Sequence, residues 1–288
     1  MLVGRFLLKP TLVLTLVITS IVSRADAASC VWKVTEPNGR TLYLGGSLHF
    51  LRSTDYPLPS AYNRAFDASS RLVFEEDPKT GSRAFQHLLK AGQYPKGDSL
   101  KNHVDPRTYD YLRRFFALMN VSEEKFNTYR PWLIDVMLES PPSQYFALGI
   151  DSFLARRAAA NSKPVSGLES PKEHNQVLVG LSDRESEAML LILFINAGHA
   201  NPGGSGLIEA WRQGDAEMLA RNMHDSFRDF PAFGNRLLSV RNHNWLPKIE
   251  DYLHSGETYF VVVGAAHMGG PDGLLSLLRA RGCRIEQL

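Results

Sequence analysis

Phe260-Val261-Val262-Val263-Gly264-Ala265-Ala266-His267 runs from β-branched and aromatic residues into a glycine, with a histidine three positions on. Thr258 to Val263 shows no polar alternation, the pattern of a strand buried on both faces. Near the other end of the 288-residue chain, Leu42-Tyr43-Leu44-Gly45-Gly46-Ser47-Leu48-His49 repeats the arrangement of apolar strand, glycine, two residues and histidine. Glycine allows backbone approaches that a Cβ would block. Ligands of open α/β sheets gather beyond the carboxyl ends of strands. Two histidines delivered there by two strands can share a metal ion.

Outward from these runs, Val31 to Val34 and Thr41 to Leu44 flank Pro37-Asn38-Gly39 and read as a β-hairpin. Arg71 to Phe74 is a short apolar strand following a helix around Ala61 to Ala68. Cys283 to Leu288 is a last strand. Before it stands a helix with Pro271 in its first turn, Leu274, Leu275, Leu277 and Leu278 on its apolar face, and Gly282 at its end. From about residue 82 to 254 the periodicity is mostly 3.6 residues. Helices are expected over Pro106 to Met119, Pro131 to Glu139, Asp151 to Asn161, Asp183 to Ala197, and as one long element around Phe233 to His254. The expected fold class is α/β (α+β), a mixed central sheet built from both chain ends with a large helical insertion.

The third strand supplies a carboxylate. Arg71-Leu72-Val73-Phe74 leads directly into Glu75-Glu76-Asp77, and strand alternation puts Glu75 and Asp77 on one side. His49, His267 and Glu75 then form a two-histidine, one-carboxylate set suited to a divalent ion such as Mn, Co, Zn or Fe. Glu75 serves as ligand or general base, with Asp77 in support. The remaining histidines, such as His87, His103, His174, His199, His224 and His254, share no spacing and read as surface or packing residues. No His-Glu-x-x-His, Gly-x-Ser-x-Gly, Walker loop or Gly-x-Gly-x-x-Gly is present. Gly203-Gly204-Ser205-Gly206 lacks the strand and lysine of a phosphate loop and reads as a helix entry.

Taken in order, these motifs resemble the TraB/PrgY/GumN family, which includes the Tiki proteases, and most of all its exported GumN-like bacterial branch. The resemblance continues through Gly149-Ile150-Asp151, Gly167-Leu168-Glu169, Trp211-Arg212-Gln213-Gly214-Asp215 and Arg241-Asn242-His243-Asn244-Trp245. It implies a single domain over residues 28–288 with an erythromycin-esterase/ChaN-like architecture. It also implies metal-dependent proteolysis carried by His49, His267 and Glu75. Arg241 and Asn242 match an Arg-Asn pair that either polarises a carbonyl, holds a carboxylate, or fixes the long helix against the sheet. Asp151 and Glu169 match positions in the shell around the ligands.

Location follows from the first residues. Arg5 and Lys9 precede the apolar run Thr11 to Val22, and Ala25-Asp26-Ala27 has the small-x-small form of a cleavage site. Residues 1–27 are read as a signal peptide and the remainder as periplasmic or secreted. The run is shorter than the roughly 20 residues of a membrane span. A lipoprotein modified at Cys30 would want Leu where Ala27 stands. No second stretch is long enough to span, Met189 to Ile195 included. A net charge of +2 without a basic run gives no support for nucleic-acid binding. The two cysteines, Cys30 and Cys283, lie near the ends of the mature chain and admit either one disulfide or two buried thiols. The expected function is an exported metal-dependent hydrolase, first of all a peptidase with a peptide or protein substrate. Non-catalytic binding of a peptide or envelope polysaccharide in the same cleft stays open, as does esterase action.

Overall fold

The turn at Glu36–Arg40 sets the first hairpin. Gly39 has φ +89°, where a side chain would be strained, and its N–H donates to Glu36 O at 2.9 Å. Asn38 Oδ1 accepts from the Arg40 N–H at 2.9 Å and closes the turn from outside. Strand β1 (Val31–Thr35) and strand β2 (Thr41–Ser47) pair antiparallel from Val31↔Gly45 to Thr35↔Thr41. The computed structural model describes residues 28–139, 149–199 and 205–288, so the signal-peptide segment lies outside the described residues.

Four more strands complete one sheet: β3 (Arg71–Glu76), β4 (Val165–Glu169), β5 (Tyr259–Gly264) and β6 (Arg284–Gln287). Their order is β4-β3-β5-β2-β1-β6. β4, β3, β5 and β2 run parallel, while β1 is antiparallel to both β2 and β6. The sheet is mixed and assembled from both chain ends, as the apolar runs imply. Tyr259 to Val263 are all buried, as expected of a strand without polar alternation.

Helices Ser60–Ala68, Pro106–Leu118, Pro131–Glu139, Ile150–Ala160 and Asp183–His199 fall within about two residues of the expected spans. Three expectations need correction. The segment from 82 to 254 is not helical throughout, because it contains β4. Around Phe233 to His254 there are two helices, Pro231–Leu237 and Ser239–His254, broken where Leu238 takes φ −114° and ψ −72°. The helix near the C-terminus starts at Leu274 with Gly273 as its N-cap, so Pro271 lies in the preceding turn.

The main core gathers residues from the strands and from six helices, among them Tyr62 and Phe66, Leu154, Trp211, Leu219, Trp245 and Ile249, and Leu274 and Leu278. The helical region has two smaller cores of its own, around Leu112, Phe116 and Phe126 and around Trp132, Leu133 and Phe233. The sheet mouth is therefore framed by helices that carry their own packing.

The Cys30–Cys283 disulfide is not formed. Both residues are buried free thiols. The β1/β6 register Trp32↔Gln287 to Thr35↔Arg284 runs antiparallel, so Cys283 falls opposite Glu36. At about 3.3 Å per residue that is on the order of 20 Å from Cys30, far beyond the Cα separation a disulfide tolerates. Burial pushes the Cys30 thiol well above its ordinary pKa, with Asp215 adding to the effect, so it stays protonated. Unfolding in guanidinium with iodoacetamide and no reductant should add two carbamidomethyl groups per chain by mass spectrometry. No added mass would reverse the assignment.

Candidate metal centre

The pairing of β2 with β5 places the two Gly-x-x-His turns side by side. Their parallel register runs from Tyr43↔Phe260 to Ser47↔Gly264, so Gly46 and Gly264 end neighbouring strands one residue out of step. A Cβ on Gly46 would lie 3.0 Å from Ala265 Cα and 3.2 Å from Cys30 Sγ, which makes glycine the residue this contact accepts. The Gly46 carbonyl accepts from Trp211 Nε1 at 2.9 Å and from the Tyr62 hydroxyl, anchoring the first turn to the core. His267 closes a single 3-10 turn, Ala265–His267, and is buried. The His49 side chain is 68% exposed.

Hydrogen bonding fixes the state of His267. Asn242 Nδ2 donates to two backbone carbonyls, His267 O at 3.2 Å and Asp272 O at 2.8 Å, so Asn242 Oδ1 must be the atom 2.7 Å from His267 Nδ1. His267 Nδ1 is then the protonated nitrogen and Nε2 carries the lone pair. Nε2 faces Glu75 Oε1 at 3.8 Å and Arg241 Nη1 at 3.3 Å. Burial, with Arg241 nearby, lowers the His267 pKa to about 4 against the opposing pull of Glu75, so the ring is neutral at pH 7. Both donor positions of Asn242 are taken. Of the roles expected for it, Asn242 fixes its helix against the turn after β5, and its oxygen orients His267.

Glu75 sits next to last in β3. Its Oε1 accepts from the Gly264 N–H at 2.7 Å, and its Oε2 from Arg241 Nη2 at 2.5 Å. Burial works to raise its pKa, but Arg241 and the nearby histidines, His49 among them, hold it well below the usual carboxylate range. Arg241 also bonds both oxygens of Glu169, through Nε at 3.2 Å and through Nη2, and it donates to Leu237 O at 3.3 Å. Its guanidinium lies 4.6 Å from the Trp245 ring, and Trp245 Nε1 donates to Glu169 Oε2 at 3.2 Å. With so many of its donors engaged within the protein, Arg241 organises two carboxylates instead of presenting a free fork to a substrate.

The helix Ile150–Ala160 docks on the first turn. Its Ile150 N–H donates to Leu48 O at 3.1 Å, and a Cβ on Gly149 would lie 2.4 Å from His49 O. This approach brings Asp151 Oδ2 to 3.6 Å from His49 Nδ1. Asp151 Oδ2 is buried and has no hydrogen-bond partner, so an acceptor is already aimed at the Nδ1 side of the ring. Both histidines thus have an internal acceptor at Nδ1, as metal-binding histidines characteristically do.

Among the described residues, one trio of ligating groups has an atom each within 4.8 Å of the others: Glu75, Glu169 and His174. His174 Nδ1 lies 2.7 Å from Glu169 Oε1. Arg241 already pairs with both carboxylates of this trio, so a cation there would meet a fixed positive charge. The expected set of His49, Glu75 and His267 is not such a trio among the described residues; Glu75 Oε1 points toward His267, 3.8 Å from its Nε2. His174 was missed in the sequence. The signal for it was Ser170-Pro171-Lys172-Glu173, a capping box that starts a helix directly after the Glu169 strand and turns His174 back to the mouth. Asp77 does not support Glu75: its Oδ1 accepts from the Lys79 N–H at 3.0 Å and shapes the following turn.

Two measurements test this geometry. Gly149→Ala should destabilise the fold by about 1–3 kcal/mol in chemical denaturation, because the new methyl meets the His49 carbonyl; an unchanged midpoint would contradict the close approach. With chelator present, stability should fall as pH drops from about 6.5 toward 4. Over that window unfolded histidine takes a proton that folded His267 refuses, and the loss is on the order of 3 kcal/mol. His267→Asn should lack this component, and equal pH slopes for the two proteins would show that His267 is not buried neutral.

Comparison with known proteins identifies relatives of the chain. The chain is 26% identical over 253 residues to an uncharacterised protein YbaP of Escherichia coli, covering 85% of this chain and 90% of that one. A YbaP of Shigella flexneri matches to the same extent. Metalloprotease TIKI2 of Danio rerio is 23% identical, over 92% of this chain and 62% of its own length. No solved structure matches significantly. The family model described as TraB/PrgY/gumN matches residues 30–287, a span that contains both Gly-x-x-His turns, Glu75 and Arg241, and the chain belongs to that family.

Proposed function

We propose that this protein is an exported metal-dependent hydrolase, a peptidase, with His49, His267 and Glu75 holding a divalent ion. The observation that carries the reading is the pair of adjacent Gly-x-x-His turns beside a partly buried Glu75. The protonation states support it too: His267 is neutral with its lone pair on Nε2, and Glu75 is charged, which is what ligation requires. When bound, the ion supplies Lewis-acid polarisation of a carbonyl and acidification of a water. The protein's own groups do the rest. Asn242 holds the His267 imidazole by its Nδ1 edge, the Asp151 carboxylate stands 3.6 Å from Nδ1 of His49, and Arg241 balances the charge of Glu75 against that of Glu169. Glu75 has one oxygen on the backbone of β5 and so keeps a fixed direction.

Peptide hydrolysis is supported by the similarity to the Danio rerio metalloprotease. Export is supported by the basic, apolar and small-residue pattern of residues 1–27. No helix among the described residues is long and apolar enough to cross a membrane.

Mature protein purified without a chelating tag should carry about one metal ion per chain by elemental mass spectrometry and should cleave members of a peptide library. His49→Ala/His267→Ala should lose both properties. Asn242→Ala should bind the metal about 10- to 100-fold more weakly, the usual cost of losing a group that orients a ligand. Equal trace metal in wild type and double variant would remove the site. Bound metal with turnover of ester but not peptide substrates would move the reading to an esterase.

A further inference from the structure

Behind the second Gly-x-x-His turn lies a cavity of about 750 Å³. Its lining includes Ala266 and Asn242 but none of His49, Glu75, Arg241 or His267. It therefore adjoins the metal side without being part of it. One wall is the helix Ala216–Ser226, which presents Glu217, Ala220, Arg221 and His224 at the spacing of a single helical face. Across from it stand the Pro231–Leu237 helix and the glycine-rich loop after His267.

Charge gives the cavity a preference. Glu217 accepts from the Gly270 N–H through both oxygens, at 3.2 and 3.1 Å. The Asp272 carboxylate lies 3.8 Å from His243 Nε2. Arg221 lines the same space, yet it makes no ion pair with any carboxylate among the described residues. Glu217 is thus engaged within the protein, Asp272 stands half-exposed beside His243, and the exposed Arg221 guanidinium is available to an incoming anion. A carboxylate fits it best, because the planar fork takes two parallel bonds to one. The volume falls within the range of small-molecule and peptide pockets, about 300–1,000 Å³.

Asn242 joins the cavity to the reacting side. The same amide that orients His267 also fixes the Asp272 carbonyl in the cavity wall. Ala266 and Asn242 are the lining residues next to His267, one in sequence and one by its hydrogen bond.

We propose that the cavity receives the end of a peptide substrate beyond the cleaved bond, with a carboxylate of that peptide against Arg221. The proposal rests on the peptidase reading. The carboxylate has two sources, a free C-terminus or an Asp or Glu side chain, and the experiment separates them.

Three fluorescently labelled Ala-rich heptapeptides serve as probes: a free acid, its C-terminal amide, and the amide with a penultimate Glu. Binding is measured by anisotropy on the full mature chain carrying His49→Ala/His267→Ala, so that turnover does not enter. The free acid, the Glu-bearing amide, or both should bind at least about tenfold more tightly than the plain amide. Arg221→Gln should abolish that preference, and Arg221→Lys should keep part of it. Ala232→Trp, on an exposed position of the cavity rim, should weaken all three probes. Equal or absent binding of all three probes, or a preference that survives Arg221→Gln, would overturn the proposal. Cleavage is scored separately on the wild-type chain. Selective binding without cleavage would count against the peptidase reading alone, and cleavage without selectivity against the cavity alone.

Discussion

The parallel register of β2 with β5 is the constraint on which the site depends. Residues more than 200 positions apart in sequence become neighbours because Ser47 faces Gly264. A shift of one residue would turn every side chain of β2 to the opposite face. It would also separate Gly46 from Ala265. The fully buried β5 and the Trp211 and Tyr62 bonds to Gly46 O hold that register. The geometry of the two histidines is thus a consequence of core packing, and the loops that carry them are short because the strands do the placing.

A second organising element is the charge arrangement around Arg241. Glu75 and Glu169 close on one guanidinium at little exposure to water. Such buried arrangements add little net stability, since desolvation offsets most of the attraction, but removing the cation leaves two carboxylates facing each other. The contribution of Arg241 is therefore directional. It holds Glu75 Oε2 so that Oε1 faces His267, and it keeps Glu169 in reach of His174 and Trp245. Both carboxylates are kept ionised in a place where burial favours their neutral forms.

The parts of this arrangement differed in how clearly the sequence announced them. β1, β2 and β5 were legible because β-branched runs and the Asn38-Gly39 turn leave few other conformations. β4 was not: Val165-Ser166-Gly167-Leu168-Glu169 is short, and its first three residues are only half-buried, so it lacks both alternation and a continuous apolar run. It exists because β3 offers an open edge and Gly167 lets the Asp77 backbone approach within a distance no Cβ would permit. Glu75 was found from its place at the end of a strand. His174 was not, because its position depends on β4 and on the helix that follows. The disulfide failed for a reason of topology. Cys30 precedes the start of β1 and Cys283 the start of β6, and the starts of two antiparallel strands lie at opposite ends of the pair. The break at Leu238 leaves no mark in the apolar periodicity of either flanking helix.

The assembly of the sheet from both termini also sets an order in time. During synthesis the first Gly-x-x-His turn emerges early, but β5 and the second turn come only after some 215 further residues, with β6 last of all. Until then β2 has an unpaired edge where its parallel partner belongs, and Glu75 lacks both the Gly264 N–H and Arg241. Contacts this distant along the chain form late in folding. A partly made chain therefore carries one histidine and a carboxylate without the groups that orient them. The whole constellation comes into being only once β5 and the turn after it have been made, so the order of synthesis itself delays its assembly.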